Sequence, residues 1–242
     1  KQRIKINIYK LLLLSIWIFA IWPDMQENKL KRWNFNMIDF YTWRTPNGRK
    51  ISIMLEELKL EYTVHPININ QDEQYHPEFL KISPNNKIPA IIDHEGPNRS
   101  PISIFESGAI LIYLAGKTKN DLLSFDPYLR IKIMEWLMFQ MANLGPMLGQ
   151  AHHFLFEPRE VVPYAQKRYY EETERLYDVL NERLGQSQHL AHDAYSIADI
   201  AAYPWINRHL RHQIDLKDFP NVERWYKTLS ARPAIIKGMS VP

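Results

Sequence analysis

The sequence predicts an α/β domain over residues 37–117 and an all-helical domain over 128–242, joined by a linker at 118–127. Three observations carry this. Strand-like runs alternate with a helical segment between Met37 and Ile104, the pattern of an α/β unit. After Pro127 only helical spacing is found. Between them Thr118, Asn120, Ser124 and Pro127 supply the polar punctuation of a linker. With 242 residues and an apolar share of 45%, the chain can bury a real core.

Residues 1–36 form a leader. Its first ten residues are basic, and 11–22 are a twelve-residue apolar run. That is shorter than the roughly 20 residues that span a bilayer and has the length of a signal-peptide core, without a small-residue cleavage site. Three readings stand: a signal or membrane anchor, a helix docked on the body, and translated upstream sequence with the start at Met25 or Met37. The last is preferred, because Met37-Ile-Asp-Phe-Tyr41 begins like a first strand, and it places the protein in the cytoplasm. The leader also explains the net charge of +3: it carries +5, so the remaining residues come to −2 and give no basic patch for nucleic acid. There are no cysteines, which excludes disulfides, zinc thiolates and a protein thiol nucleophile. Thiol chemistry here must use a thiol carried by the substrate.

From Met37 the reading is strand (38–41), helix (46–60) and strand (61–67), then two stretches on which the domain turns. In Ser83-Pro-Asn-Asn-Lys-Ile-Pro-Ala-Ile91, Pro89 holds a bend just before the apolar strand 90–93. In Ile104-Phe-Glu-Ser-Gly-Ala-Ile-Leu-Ile-Tyr-Leu114, a strand runs into Glu106-Ser107 and then a helix with Ile110, Leu111 and Leu114 on one side. Glu106 and Ser107 can cap that helix or bind a charged ligand. Upstream, Thr45-Pro-Asn-Gly48 fits a turn and helix cap equally well. In the helical half, Leu129, Ile133, Trp136, Leu137 and Gln140 share a face, as do Tyr164, Tyr169, Thr173, Leu176 and Leu180, before a stop near Gly185. Ser196 and Asp199 have capping-box spacing, with Tyr195 placed to staple onto Ile200. His152 and His153 point about 100° apart on a helix, so they are poor partners for one metal and read as buried or interface histidines.

Taken in order, Thr45-Pro-Asn-Gly48, the Ile88-Pro89 stretch, Phe105-Glu-Ser-Gly108 and Leu144-Gly-Pro-Met-Leu-Gly-Gln-Ala-His-His-Phe154 resemble glutathione transferases. With all four together the sequence looks like the bacterial Nu class, relatives of the fungal nitrogen-regulator prion protein, over residues 37–233. The resemblance implies a thioredoxin-like domain followed by an all-α domain, a cis bond at Ile88-Pro89 and a homodimer. It implies Thr45 and Asn47 as catalytic residues that hold the reacting sulfur. Asn47, Gln74, Ile88, Pro89, Glu106 and Ser107 would bind glutathione, and Arg168 would reach a carboxylate of the bound disulfide. Glu135 stands where relatives carry Gln; beside the ligand it would repel carboxylates or pair with the glutamyl ammonium. No metal is implied.

The expected activity is glutathione-dependent disulfide-bond reduction, with weak transferase or peroxidase activity. The alternatives are a conventional transferase conjugating electrophiles and a non-catalytic glutathione-binding module. A thiol of pKa about 8.5 needs roughly 2.7 kcal/mol of preferential interaction to fall by two units. One or two hydrogen bonds plus a helix N-terminus can supply it. Thr45 donates O–H and Asn47 N–H at such a terminus. Tyr41 is the other candidate, but its place inside the strand ranks it behind Thr45.

Overall fold

The computed structural model describes residues 37–156 and 158–242; the leader, and with it the reading of where the native chain starts, lies outside the described residues. Strand β1 (Ile38–Thr42) leads into helix α1 (Pro46–Leu58), and β2 (Tyr62–Pro66) returns parallel to β1. Short helix α2 (Pro77–Leu80) precedes β3 (Ala90–Asp93) and β4 (Ile102–Phe105), both antiparallel to their neighbours in the sheet order β2-β1-β3-β4. This is βαβ followed by ββ, and α3 (Ser107–Thr118) completes it. The alternation in β1 is regular: Ile38 and Phe40 are fully buried while Asp39 and Tyr41 lie between, as a half-covered strand requires.

Helix α1 departs from that one-sided pattern. Residues 50–55 are all buried in succession, polar Lys50 and Ser52 among Ile51, Ile53, Met54 and Leu55. A helix buried all round must be covered on every side. Here α3 packs on it from its own domain, and α7 (Ile197–Ile206) and α9 (Pro233–Gly238) pack on it from the helical half. Burying Ile51, Ile53, Met54 and Leu55 stabilises the helix by about 1.5–3 kcal/mol per side chain. Ser52 donates its hydroxyl to the carbonyl of Gly238 at 2.7 Å. A Cβ on Gly238 would lie 2.6 Å from the backbone of Ile53, so only glycine lets α9 approach this closely. The helix stops at Leu58, two residues short of the sequence reading, because Lys59 turns left-handed and ends it.

The helical half contains α4 (Pro127–Phe139), a π-helical turn at Gln140–Leu144, α5 (Gly145–Leu155), α6 (Pro163–Gln186), α7, α8 (Pro220–Ser230) and α9. All ten residues of α7 are buried. Its start is the capping box read from the sequence: Ser196 accepts from Ala198 N–H, and Asp199 accepts from Ser196 N–H at 3.0 Å. Asp199, fully buried, also accepts from Leu190 N–H and the Trp225 indole, which ties three segments to one carboxylate. No described helix is long and apolar enough to cross a membrane.

Candidate functional site

The site is built at the N-terminus of α1. Gly48 is there because a Cβ would collide with Thr42 Oγ1 and sit 2.7 Å from the carbonyl of Trp43. Thr45 caps the helix, its Oγ1 accepting from Gly48 N–H at 3.2 Å, so the cap reading holds. A hydroxyl has one donor and two acceptor sites, and capping uses an acceptor. The Thr45 O–H is therefore still a donor. Asn47 is oriented by Trp205, whose indole N–H donates to Asn47 Oδ1 at 3.0 Å. An indole can only donate, so the oxygen must face Trp205 and the amide N–H groups face elsewhere.

Asn47 lines two adjoining clefts, of about 790 and 130 Å³, which also share Lys87, Glu106 and Met141. The smaller is walled by Ile88, Pro89 and Ser107. The Ile88-Pro89 bond is cis. The loop before it is closed by the Ser83 hydroxyl donating to the Lys87 carbonyl at 2.7 Å, with Asn86 at φ 49°, a left-handed value that asparagine adopts more readily than most residues. Glu106 stands at φ 70°, and its side chain makes no capping bond to α3. Ser107 is buried at that helix start and caps nothing; it accepts from Lys50. The capping alternative for this pair is thus not realised, and Glu106 is left exposed on the cleft.

Lys50 is the residue that sequence reasoning missed. Only 1% exposed, it reaches from α1 to donate to Gln140 Oε1 at 2.6 Å, Ser107 Oγ at 3.3 Å and Met141 Sδ at 3.3 Å. Burial pushes its ammonium down to about 7, against a smaller opposing pull from Glu106. Gln140 is fully buried on the π-helical turn, and a Cβ on Gly145 would come within 2.8 Å of its amide nitrogen. Lys87, next to Ile88-Pro89 in the motif, was within reach of the sequence reading. Trp205 and Lys50 were not, since each is signalled only by its partner in space.

Four predicted residues lie elsewhere. Gln74 sits on a one-turn 3₁₀ segment, half-buried, outside the cleft lining. Glu135 is exposed on α4 and pairs with Lys132 at 2.9 Å, away from the cleft lining. Arg168 lines a separate groove of about 630 Å³ with Met147, Tyr164 and Glu172. Helix α5 divides the two, since its Met147 faces the groove while its Pro146, Gly149 and His153 face the cleft. His153 is exposed there rather than buried. Tyr41 stacks on His65 at 4.7 Å, outside the cleft lining, and burial with nearby Asp39 raises its hydroxyl pKa. Among the described residues no group of three or more His, Asp or Glu could hold a metal.

The βαβ-then-ββα order around the sheet β2-β1-β3-β4, with Pro89 ahead of β3 on a cleft shared with the start of α1, defines a thioredoxin-like domain. An all-helical domain is appended here. Residues 37–116 match the glutathione S-transferase N-terminal domain and 144–233 the glutathione S-transferase C-terminal domain. The chain is 50% identical over 199 residues to the disulfide-bond oxidoreductase YfcG of Escherichia coli, covering 82% of this chain and 92% of that protein. It therefore belongs to the glutathione S-transferase family. A family member from Pseudomonas fluorescens, solved with two glutathiones bound, superimposes with a TM-score of 0.81 at 42% identity, covering 88% of this chain and 97% of that one. A glutathione transferase from Pseudomonas putida, with one glutathione disulfide bound per subunit, gives 0.80 at 42% identity over 88% and 96% of the two chains.

Proposed function

We propose that this protein is a glutathione-dependent disulfide-bond reductase with weak transferase or peroxidase activity. The observation that carries the reading is Asn47, whose amide is turned by Trp205 so that its N–H groups are donors at the positive end of α1, on a cleft that also holds the cis-proline and Glu106. The relative in Escherichia coli bears a disulfide-bond oxidoreductase name, and a structural neighbour holds glutathione disulfide.

The glutathione thiolate, stabilised by Thr45 O–H and Asn47 N–H, attacks one sulfur of a small disulfide. The S–S bond breaks, a mixed disulfide forms, and the other sulfur leaves as a thiolate that takes a proton. A second glutathione thiolate attacks the mixed disulfide, releasing the second thiol and glutathione disulfide. Two electrons pass from two glutathiones to the substrate. With no cysteine in the chain, both thiols must come from outside. Glu106 pairs with the glutamyl ammonium, Ser107 and Lys87 face a carboxylate, and the Ile88 backbone lies along the tripeptide. Arg168 is assigned to a carboxylate of a second glutathione that extends past α5. Gln74 stays an outer contact of the first. Glu135 is left out of the site, because Lys132 already engages it.

The working unit is a homodimer in the cytoplasm, where glutathione is kept reduced. Support for the dimer is an exposed stripe on α4, with Tyr128 at 70%, Ile131 at 58% and Met138 at 44% exposure, on which Glu135 also sits. Turnover of hydroxyethyl disulfide with glutathione tests the activity. Thr45→Ala and Asn47→Ala each lower kcat/KM by about tenfold to a hundredfold, the loss of one hydrogen bond to an anion. Full activity in both variants removes the assigned site. Faster turnover of a chloronitrobenzene than of any disulfide favours the conjugating transferase instead.

A further inference from the structure

A second polar cavity lies beside the glutathione cleft and belongs to neither domain alone. Pro46 and Pro204 line it, while their chain neighbours Asn47 and Trp205 line the cleft. It holds about 400 Å³, has Leu210 and Met239 as further apolar walls, and carries three guanidiniums, those of Arg49, Arg208 and Arg211. Arg44 is near: Arg208 Nη2 donates to its backbone carbonyl at 3.1 Å, and its charge acts on Arg49.

Among the described residues these four positive charges have no counter-charge. Among the described residues, no carboxylate lies within 4 Å of any of the four guanidiniums. Arg49 Nη1 is buried with no hydrogen-bond partner. Arg208 is pushed down to about 10, first by burial and then by Arg211 and Arg49; Arg49 is lowered by burial and then by Arg44. The same field reaches inward to buried His212, held down at about 3 by burial, with His152, Arg208, His209 and Arg211 adding to it. The cluster is not a by-product of a basic chain, since residues 37–242 carry a net charge of −2. Like charges gathered in a half-enclosed space are unfavourable until an anion bridges them. A single carboxylate satisfies one guanidinium fork; a tetrahedral dianion can accept from three at once.

We propose that this cavity is an anion-binding site, separate from the glutathione cleft, that takes a phosphoryl-class dianion between Arg49, Arg208 and Arg211.

The probe is inorganic phosphate, titrated calorimetrically against the full chain with ionic strength held constant by chloride. The expected result is saturable binding of one phosphate per chain that also raises the thermal midpoint. Arg211 is exposed, so Arg211→Gln is expected to fold normally and to turn over glutathione as the parent does, while phosphate affinity falls about tenfold or more. Arg49→Gln repeats the loss from the buried side. The proposal is overturned by unsaturable binding, by parent-like affinity in both Arg211→Gln and Arg49→Gln, by equal stabilisation from chloride alone, or by displacement of phosphate with glutathione disulfide. The last outcome would place the ion in the glutathione cleft.

Discussion

Replacing Lys50 by Met separates the electrostatics of this fold from its packing. The side chain is 1% exposed and its ammonium is pushed from 10.5 to about 7, so in the unfolded chain it stays protonated at pH values where the folded chain has released the proton. Stability rises with pH wherever the unfolded state binds more protons. For Lys50 that window runs from about pH 7 to 10.5, opposite in sense to a lysine that gains an acidic partner. One such group contributes up to about 1.4 kcal/mol per pH unit, or about 3 kcal/mol between pH 7 and 9.5. Lys50→Met loses this slope. It also leaves Gln140 Oε1 and Ser107 Oγ without their donor, which costs about 1–3 kcal/mol per group. Below pH 7 the relief of a buried charge offsets that cost; at pH 9.5 nothing does. Urea unfolding of both proteins at pH 6.5, 8 and 9.5 reads the difference, because every other group titrates alike in the two. The expected result is a stability gap that widens with pH in favour of the parent. Parallel curves would refute the assignment of Lys50 as a buried, weakly held ammonium.

Trp205→Phe keeps the ring and deletes the N–H that orients Asn47; kcat/KM for disulfide reduction should fall toward that of Asn47→Ala with thermal stability changed by only about 1 kcal/mol. Equal activity to the parent would show that Asn47 needs no orientation. Glu106→Gln should raise the KM for glutathione at least tenfold with kcat less affected, since it removes a charge facing the cleft but no sulfur contact. Asp199→Ala strands the Ser196 and Leu190 amides and the Trp225 indole at once, so chemical denaturation should report a loss of about 3–5 kcal/mol.

What the residues announced in one dimension was the part governed by local rules. Pro89 before an apolar strand, the capping box at Ser196 and Asp199, and glycine at position 48 act within a few residues of themselves, so their roles are legible from order alone. Glu106 and Ser107 were ambiguous between cap and ligand contact, and only the geometry at φ 70° decides that neither side chain caps. The chemistry that escaped depends on pairs distant in sequence: Lys50 with Gln140, and Asn47 with Trp205, 90 and 158 positions apart. A lysine inside a helix signals a solvated face unless its neighbours are known to be buried. Here the fold buries Lys50 and Ser52 with Ile51, Ile53, Met54 and Leu55, six residues in a row that leave no face for water. Arg168 and Glu135 were placed by likeness rather than by any local rule, and both fall outside the cleft.

The seat of α9 on α1 makes the timing of folding unusual for a domain so near the start of a chain. Helix α1 bears Thr45 and Asn47 at one end, yet its far flank stays open to water until Gly238 has been synthesised and laid against Ile53. The helix that carries the proposed thiol site is fully covered only when residues almost 200 positions later have docked on it. A ribosome stalled within α8 would therefore hold α1 with the flank that α9 covers still exposed, an apolar surface of the kind chaperones bind. The glutathione-binding half is thus a domain by topology and a dependent part by energetics.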